Sequence, residues 1–135
     1  LEDTRVVTCL LTHSGKVLVL KRSQLVGSYR GLWGGVAGYI EGPSPLEQAF
    51  IEIEEEVGLS PQDVHFVLSG EPLILEDPQI STRWVIHPFL FEVISPEKIR
   101  LDVEHTELRW INPEQLGQFD SVPGLKEVWE RLQGR

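Results

Sequence analysis

Apolar positions along the chain change their spacing several times, and each change marks an element. Residues Thr4–Leu11 and Lys16–Lys21 are rich in β-branched and aliphatic side chains, and predict two strands joined by a turn at His13-Ser14-Gly15. The stretch Gly27-Ser28-Tyr29-Arg30-Gly31-Leu32-Trp33-Gly34-Gly35 holds too much glycine for a helix interior, so it predicts a loop, with a short strand at Val36–Ile40 behind it. The period then lengthens. Leu46, Ala49, Phe50, Ile53 and Val57 recur at helical spacing and form one apolar stripe. Ser44 suits the N-cap of that helix and Pro45 its first turn, Glu47 stands where it can complete a capping box, and Gly58 supplies the stop.

Strand-like spacing returns at Val64–Leu75 and in a long apolar and aromatic run at Ser81–Ile94. Pro88 inside that run has no N–H to give a ladder, which predicts an edge position or a bulge. Another strand is expected around Glu107–Ile111, a short helix at Pro113–Gln118 and an amphipathic helix at Val122–Leu132. The order of strands, helix, strands, helix predicts an α/β fold with a mixed sheet between helical layers. No internal repeat or low-complexity segment interrupts it.

With 135 residues the chain has the size of a single domain, residues 1–135, able to bury roughly two-thirds of its unfolded surface. No run approaches the ~18 apolar residues that span a bilayer, and the N-terminal segment lacks the features of a signal peptide, so a cytoplasmic protein is expected. The chain has no methionine, which implies a processed start or a domain cut from a longer protein. Its single cysteine, Cys9, lies in an apolar run and reads as core. The net charge of −9, from 12 basic and 21 acidic residues, argues against nucleic acid polymers and anionic membranes as partners. A small anionic ligand stays compatible, provided that a cation neutralises it locally.

The sharpest chemical feature is the trio Glu52, Glu55 and Glu56. Positions i, i+3 and i+4 share one helix face, so the carboxylates repel one another, and acids near a helix C-terminus also oppose the macrodipole. On a wheel of ~100° per residue the patch falls clear of the apolar stripe. Hard oxygen ligands gathered there call for a hard cation, Mg²⁺ or Mn²⁺.

Together, Gly38-Tyr39-Ile40-Glu41-Gly42-Pro43-Ser44 and Glu52-Ile53-Glu54-Glu55-Glu56-Val57-Gly58-Leu59 resemble the signature box of the Nudix (MutT-like) hydrolase family, G-x5-E-x7-R-E-U-x-E-E-x-G-U with U a bulky aliphatic residue. Leu20-Lys21-Arg22-Ser23, Gly31-Leu32-Trp33 and Glu107-Leu108-Arg109-Trp110-Ile111 look like Nudix neighbours of the box, so the likeness covers most of the chain. Three box positions depart. Ala37 replaces the opening glycine and keeps the backbone carbonyl valued there. Pro43 removes a carboxylate that often supports an additional metal, and Ile51 removes the arginine that helps hold the glutamates. Without that cation the glutamate pKa values should rise in the metal-free protein.

The resemblance implies a Nudix α/β/α sandwich that hydrolyses a diphosphate linkage in a nucleoside diphosphate derivative, a small nucleotide-type substrate, with Mg²⁺ or Mn²⁺ as cofactor. It implies Glu52, Glu55, Glu56 and Ala37 as metal-binding residues, with Glu52 as a ligand or the base. A late-loop base is also known in the family, for which Glu104 and Glu107 are candidates and Glu107, just before a strand, is preferred. Arg22, Trp33 and Arg83 are candidate substrate-binding residues. Trp84, Trp110 and Trp129 read as packing, and His87 and His105 as structural or surface histidines. Since family members are often dimers, a homodimer is an expectation. The competing reading is a catalytically weak Nudix domain that binds a ligand or regulates a partner. Trp33 and the segment His87-Pro88-Phe89-Leu90-Phe91 look similar to Nudix domains attached to initiation-factor-like or sugar-phosphate isomerase-like domains.

Overall fold

A computed structural model describes residues 1–134. Strand β1 (Glu2–His13) turns through Ser14 and Gly15, both at positive φ (50° and 78°), into β2 (Lys16–Arg22). Two positive φ values in succession are what a tight hairpin needs to match the twist of its strands. The two strands separate after the pairs His13↔Lys16 and Thr12↔Val17. Strand β3 (Trp33–Gly34) then pairs with β2, and β4 (Val36–Tyr39) takes up the opened edge of β1. The divergence of β1 from β2 creates the cleft described below.

Helix α1 (Pro45–Val57) follows. The strand-like region at Val64–Leu75 forms two strands, β5 (Val64–Ser69) and β6 (Leu73–Asp77), separated around Gly70. Both lie antiparallel on the same edge of β7 (Thr82–Val93), one after the other. The opposite edge of β7 runs parallel to β1 from Glu2↔Thr82 to Thr12↔Glu92. Pro88 is therefore in an interior strand and not at an edge. It occupies the interval where β5 hands over to β6, and its carbonyl accepts the Gly70 N–H at 3.0 Å. The N–H that proline lacks would have faced this same interval, beyond the last pair of β5 and before the first of β6, so neither strand's ladder is interrupted.

Strand β8 (His105–Ile111) covers the other edge of β2 and begins two residues before the expected Glu107. Pro113–Gln118 forms a 3-10 helix, and α2 (Leu125–Leu132) begins three residues later than expected, after Gly124 at φ 88°.

Alternation along β1 assigns the layers. Val7, Cys9 and Leu11 face α1, meeting Ala49, Ile53 and Val57 together with Phe89 and Phe91. Val6 and Leu10 face the opposite way, onto Leu125, Val128 and Leu132 of α2. Burial on both faces explains why neighbouring positions in the middle of this strand, Val6-Val7 and Cys9-Leu10-Leu11, are apolar alike. The result is an α/β/α sandwich around a mixed eight-stranded sheet. No helix among the described residues is long and apolar enough to cross a membrane.

Ile53 is fully buried, while Ile51 on the same helix is 48% exposed. Ile53→Ala should destabilise the protein by about 2–5 kcal/mol in urea unfolding. Ile51→Ala should change stability by less than about 0.5 kcal/mol. Equal effects would show that α1 is not docked as described.

Candidate active site

Helix α1 sets the geometry of the site. At its start the Ser44 hydroxyl accepts the Glu47 N–H at 3.2 Å, which is the forward half of a capping box. At its end Gly58, at φ 72°, donates its N–H to the Glu54 carbonyl at 3.0 Å. The next free carbonyls are taken by the segment before β8: the Arg100 N–H reaches Val57 O at 2.9 Å and the Asp102 N–H reaches Glu56 O at 3.3 Å. These bonds satisfy carbonyls that a helix end leaves open. The last turn carries no basic residue, so nothing on α1 itself offsets its acids.

Glu52, Glu55 and Glu56 line one cleft of about 310 Å³, together with Ala37 and Gly38 of β4, Arg22 at the end of β2 and Glu104 before β8. Glu56 lies deepest, only 5% exposed, with Oε1 accepting the Ala37 N–H at 3.3 Å. Burial, followed by the proximity of Glu52, pushes its pKa up to about 10 against the pull of the Ala37 amide. Repulsion from Glu52 is also the first cause that raises the pKa of exposed Glu55. The upward direction at Glu55 and Glu56 matches the sequence expectation, although for Glu56 burial is the first cause. Glu52 is held by two features. A Cβ at Gly38 would collide with its carboxylate, so a larger residue there would displace the Glu52 side chain. Its Oε2 also accepts the Gln48 Nε2–H at 2.8 Å, while Gln48 Oε1 accepts the Glu41 N–H at 3.2 Å.

Other candidates separate. Arg22 stands on the cleft, with Nε donating to Ser28 O at 3.0 Å. Trp33 does not: it is buried in the α2-side core, edge-on to Phe119 at 5.5 Å, with the Arg109 guanidinium 5.0 Å above its ring. Arg83 is also away from the cleft, 3.7 Å from Asp3, because neighbouring strand residues point to opposite faces and Trp84 takes the cleft side. Trp84, expected as packing, lines the cleft beside Tyr39 and donates its Nε1–H to the Tyr29 hydroxyl at 3.0 Å. Glu107 turns away and pairs with Arg109 at 2.9 Å, which leaves Glu104 as the late-loop carboxylate at the cleft.

Gln48 was missed by sequence reasoning, although it carries a legible signal, since it lies one helical turn before Glu52. His105, expected as a structural or surface histidine, is buried, with Nδ1 2.9 Å from Asp102 Oδ1 and Nε2 3.6 Å from Glu56 Oε1 of the distant α1.

The donor set suits Mg²⁺ or Mn²⁺, being carboxylates on one wall whose raised pKa values a cation would relieve. Among the described residues, however, no three histidine, cysteine or carboxylate side chains already converge as a metal cage.

A mixed sheet between two helices, with an acidic helix face opening on the cleft between two diverging strands, defines an α/β/α sandwich with an acidic cleft. The chain belongs to the Nudix family, matching the NUDIX domain over residues 2–132. No curated protein matches it in sequence. Among solved structures it is similar to a C. elegans Ap4A hydrolase in a binary complex, at 14% identity and TM-score 0.79 over 97% of this chain and 96% of that one. It is similar to the MutT protein of Methanosarcina mazei Go1, at 20% identity and TM-score 0.78 over 98% and 94%. It is also similar to the NUDIX domain of Shewanella oneidensis NrtR complexed with ADP ribose, at 16% identity and TM-score 0.71 over 100% and 89%.

Glu56 yields a pH prediction for the metal-free protein. A carboxyl raised from 4.5 to about 10 on folding contributes stability fully below pH 4.5, and loses it as pH rises towards 10. Glu56→Gln should therefore raise Tm at pH 8 and leave it nearly unchanged at pH 4. Equal shifts at both pH values would contradict the burial of this group.

Proposed function

We propose that this Nudix domain binds a nucleoside-diphosphate-type ligand in the cleft with a divalent cation, and hydrolyses its diphosphate linkage only weakly. One observation carries the reading: Glu52, Glu55 and Glu56 share the cleft, yet they do not converge on a point, and the box arginine that would help hold them is replaced by Ile51. Pro43 is exposed and offers no carboxylate, while Ile51 stands with Glu47, Glu52 and Glu55 around an acidic hollow where a cation belongs.

The cation, Mg²⁺ or Mn²⁺, would be held by Glu52, Glu55, Glu56 and the Ala37 backbone. When bound it supplies charge neutralisation of the phosphates and a lowered pKa for an attacking water. Arg22 is the cleft cation for the phosphate end. Glu104 takes the position of the proton acceptor, with Glu52 as the second candidate. Tyr39, Trp84 and Ile86 offer an apolar and aromatic wall for a base or sugar. A small-molecule ligand and a cytoplasmic setting belong to the same reading, as does the single-domain extent 1–135.

ADP ribose and Ap4A, named with two of the similar structures, are the first ligands to test. Calorimetry should show binding that requires Mg²⁺ and disappears in Glu56→Gln. Turnover should fall below the ordinary range of about 1–10³ s⁻¹, and Ile51→Arg should raise it by about tenfold or more. Wild-type turnover inside that range would replace this reading with that of a competent hydrolase. Absence of Mg²⁺-dependent binding to either ligand would remove the nucleotide reading.

A further inference from the structure

His105 is a buried titratable side chain beside Glu56 that the proposed chemistry leaves unused, and both of its ring nitrogens face carboxylates. Its side chain is 3% exposed. Nδ1 lies 2.9 Å from Asp102 Oδ1, an oxygen that also accepts the Glu104 N–H at 3.2 Å. A carboxylate accepting from two sides assigns the hydrogen to Nδ1, so the imidazole donates to Asp102. Nε2 is then aimed at Glu56 Oε1, 3.6 Å away, and a proton on either atom makes that contact attractive.

The ring cannot drift, because its segment is tied down. Asp102 donates its N–H to Glu56 O at 3.3 Å, and Arg100 donates to Val57 O at 2.9 Å. His105 itself begins β8, paired with Arg22 of β2. The helix end that carries Glu56 and the strand that carries His105 are thus joined by backbone hydrogen bonds on one side and by the sheet on the other.

We propose that Asp102 and His105 form a positioning pair that holds the Glu56 carboxylate at the cleft, the task for which the family box carries an arginine and this chain has Ile51. The replacement comes from a different element. Ile51 lies on the exposed side of α1, whereas His105 reaches Glu56 from the sheet side, where the carboxylate is buried. Gln48 holds Glu52 in parallel, so each of these two glutamates has its own neutral or basic partner. The consequence for a bound cation rests on the reading of Glu56 as a ligand; the positioning itself does not.

Two measurements separate these statements. The Ala37 amide, which donates to Glu56, reports the carboxylate's place in the metal-free protein through its hydrogen exchange. In His105→Phe that amide should exchange roughly tenfold faster, while the buried amides of β1 keep their rates. Mn²⁺ affinity, read by electron paramagnetic resonance of the free ion, should fall about 10–100-fold. His105→Gln returns an amide, able to donate or accept, near the place of Nε2 and should recover most of both. Unchanged Ala37 exchange in His105→Phe would overturn the inference. Should the Phe variant fail to fold, the Gln variant decides: wild-type exchange supports the pair, and accelerated exchange in a folded protein overturns it. If the wild type binds no Mn²⁺ while Ala37 responds as expected, the positioning pair stands and the ligand role of Glu56 falls.

Discussion

A carboxylate buried at the C-terminal turn of a helix, next to a second carboxylate, is an arrangement that costs free energy in every term. Burial disfavours its charge, Glu52 repels it, and the helix dipole presents its negative end. Much of the local structure around Glu56 is what makes this tolerable. The Ala37 amide points at its oxygen, His105 stands behind it, and the 100–104 segment covers the carbonyls of the last turn. Gly38 withholds a Cβ so that Glu52 can approach β4. Residues from β4, α1 and β8 thus meet at a single ionisable group.

Those elements can meet because β1 and β2 diverge after a short hairpin. Had they stayed paired along their length, β4 would have had no edge to join and α1 no strand to bring its acidic face to a cleft. The parallel β1–β7 pair supplies the rigid floor, buried on both faces, and the two helices are held by the alternating side chains of that floor. Rigidity here matters for function. A weak or strong cation site alike needs its carboxylates held within a fraction of an ångström, and strands and helices do this better than loops.

Much of the fold was legible because it rests on local periodicity. The α1 stripe, its cap at Ser44 and its stop at Gly58, and the Ser14-Gly15 turn all express preferences that operate within a few residues. Pro88 shows where such reasoning stops. A missing N–H does exclude a ladder bond, but an edge is only one place without one, and the gap between β5 and β6 is another. Trp33 and Glu107 show a second limit. Residue type and neighbourhood suggested a substrate contact for Trp33 and a general base for Glu107, whereas the direction of each side chain depended on which strand lay alongside.

The sequence by itself determined the element order, the sandwich class, and the presence of three carboxylates on one helix face, since each follows from spacing along the chain. It also exposed the absent cation at Ile51 and the absent carboxylate at Pro43. Only the tertiary structure decided that Glu56 is buried while Glu55 is exposed, that Glu104 and not Glu107 reaches the cleft, and that His105 stands against Glu56. The reason is physical. Helical periodicity assigns a residue to a face, but burial and electrostatic partnership depend on what packs against that face, and here the partners arrive from positions nearly fifty residues away in the chain.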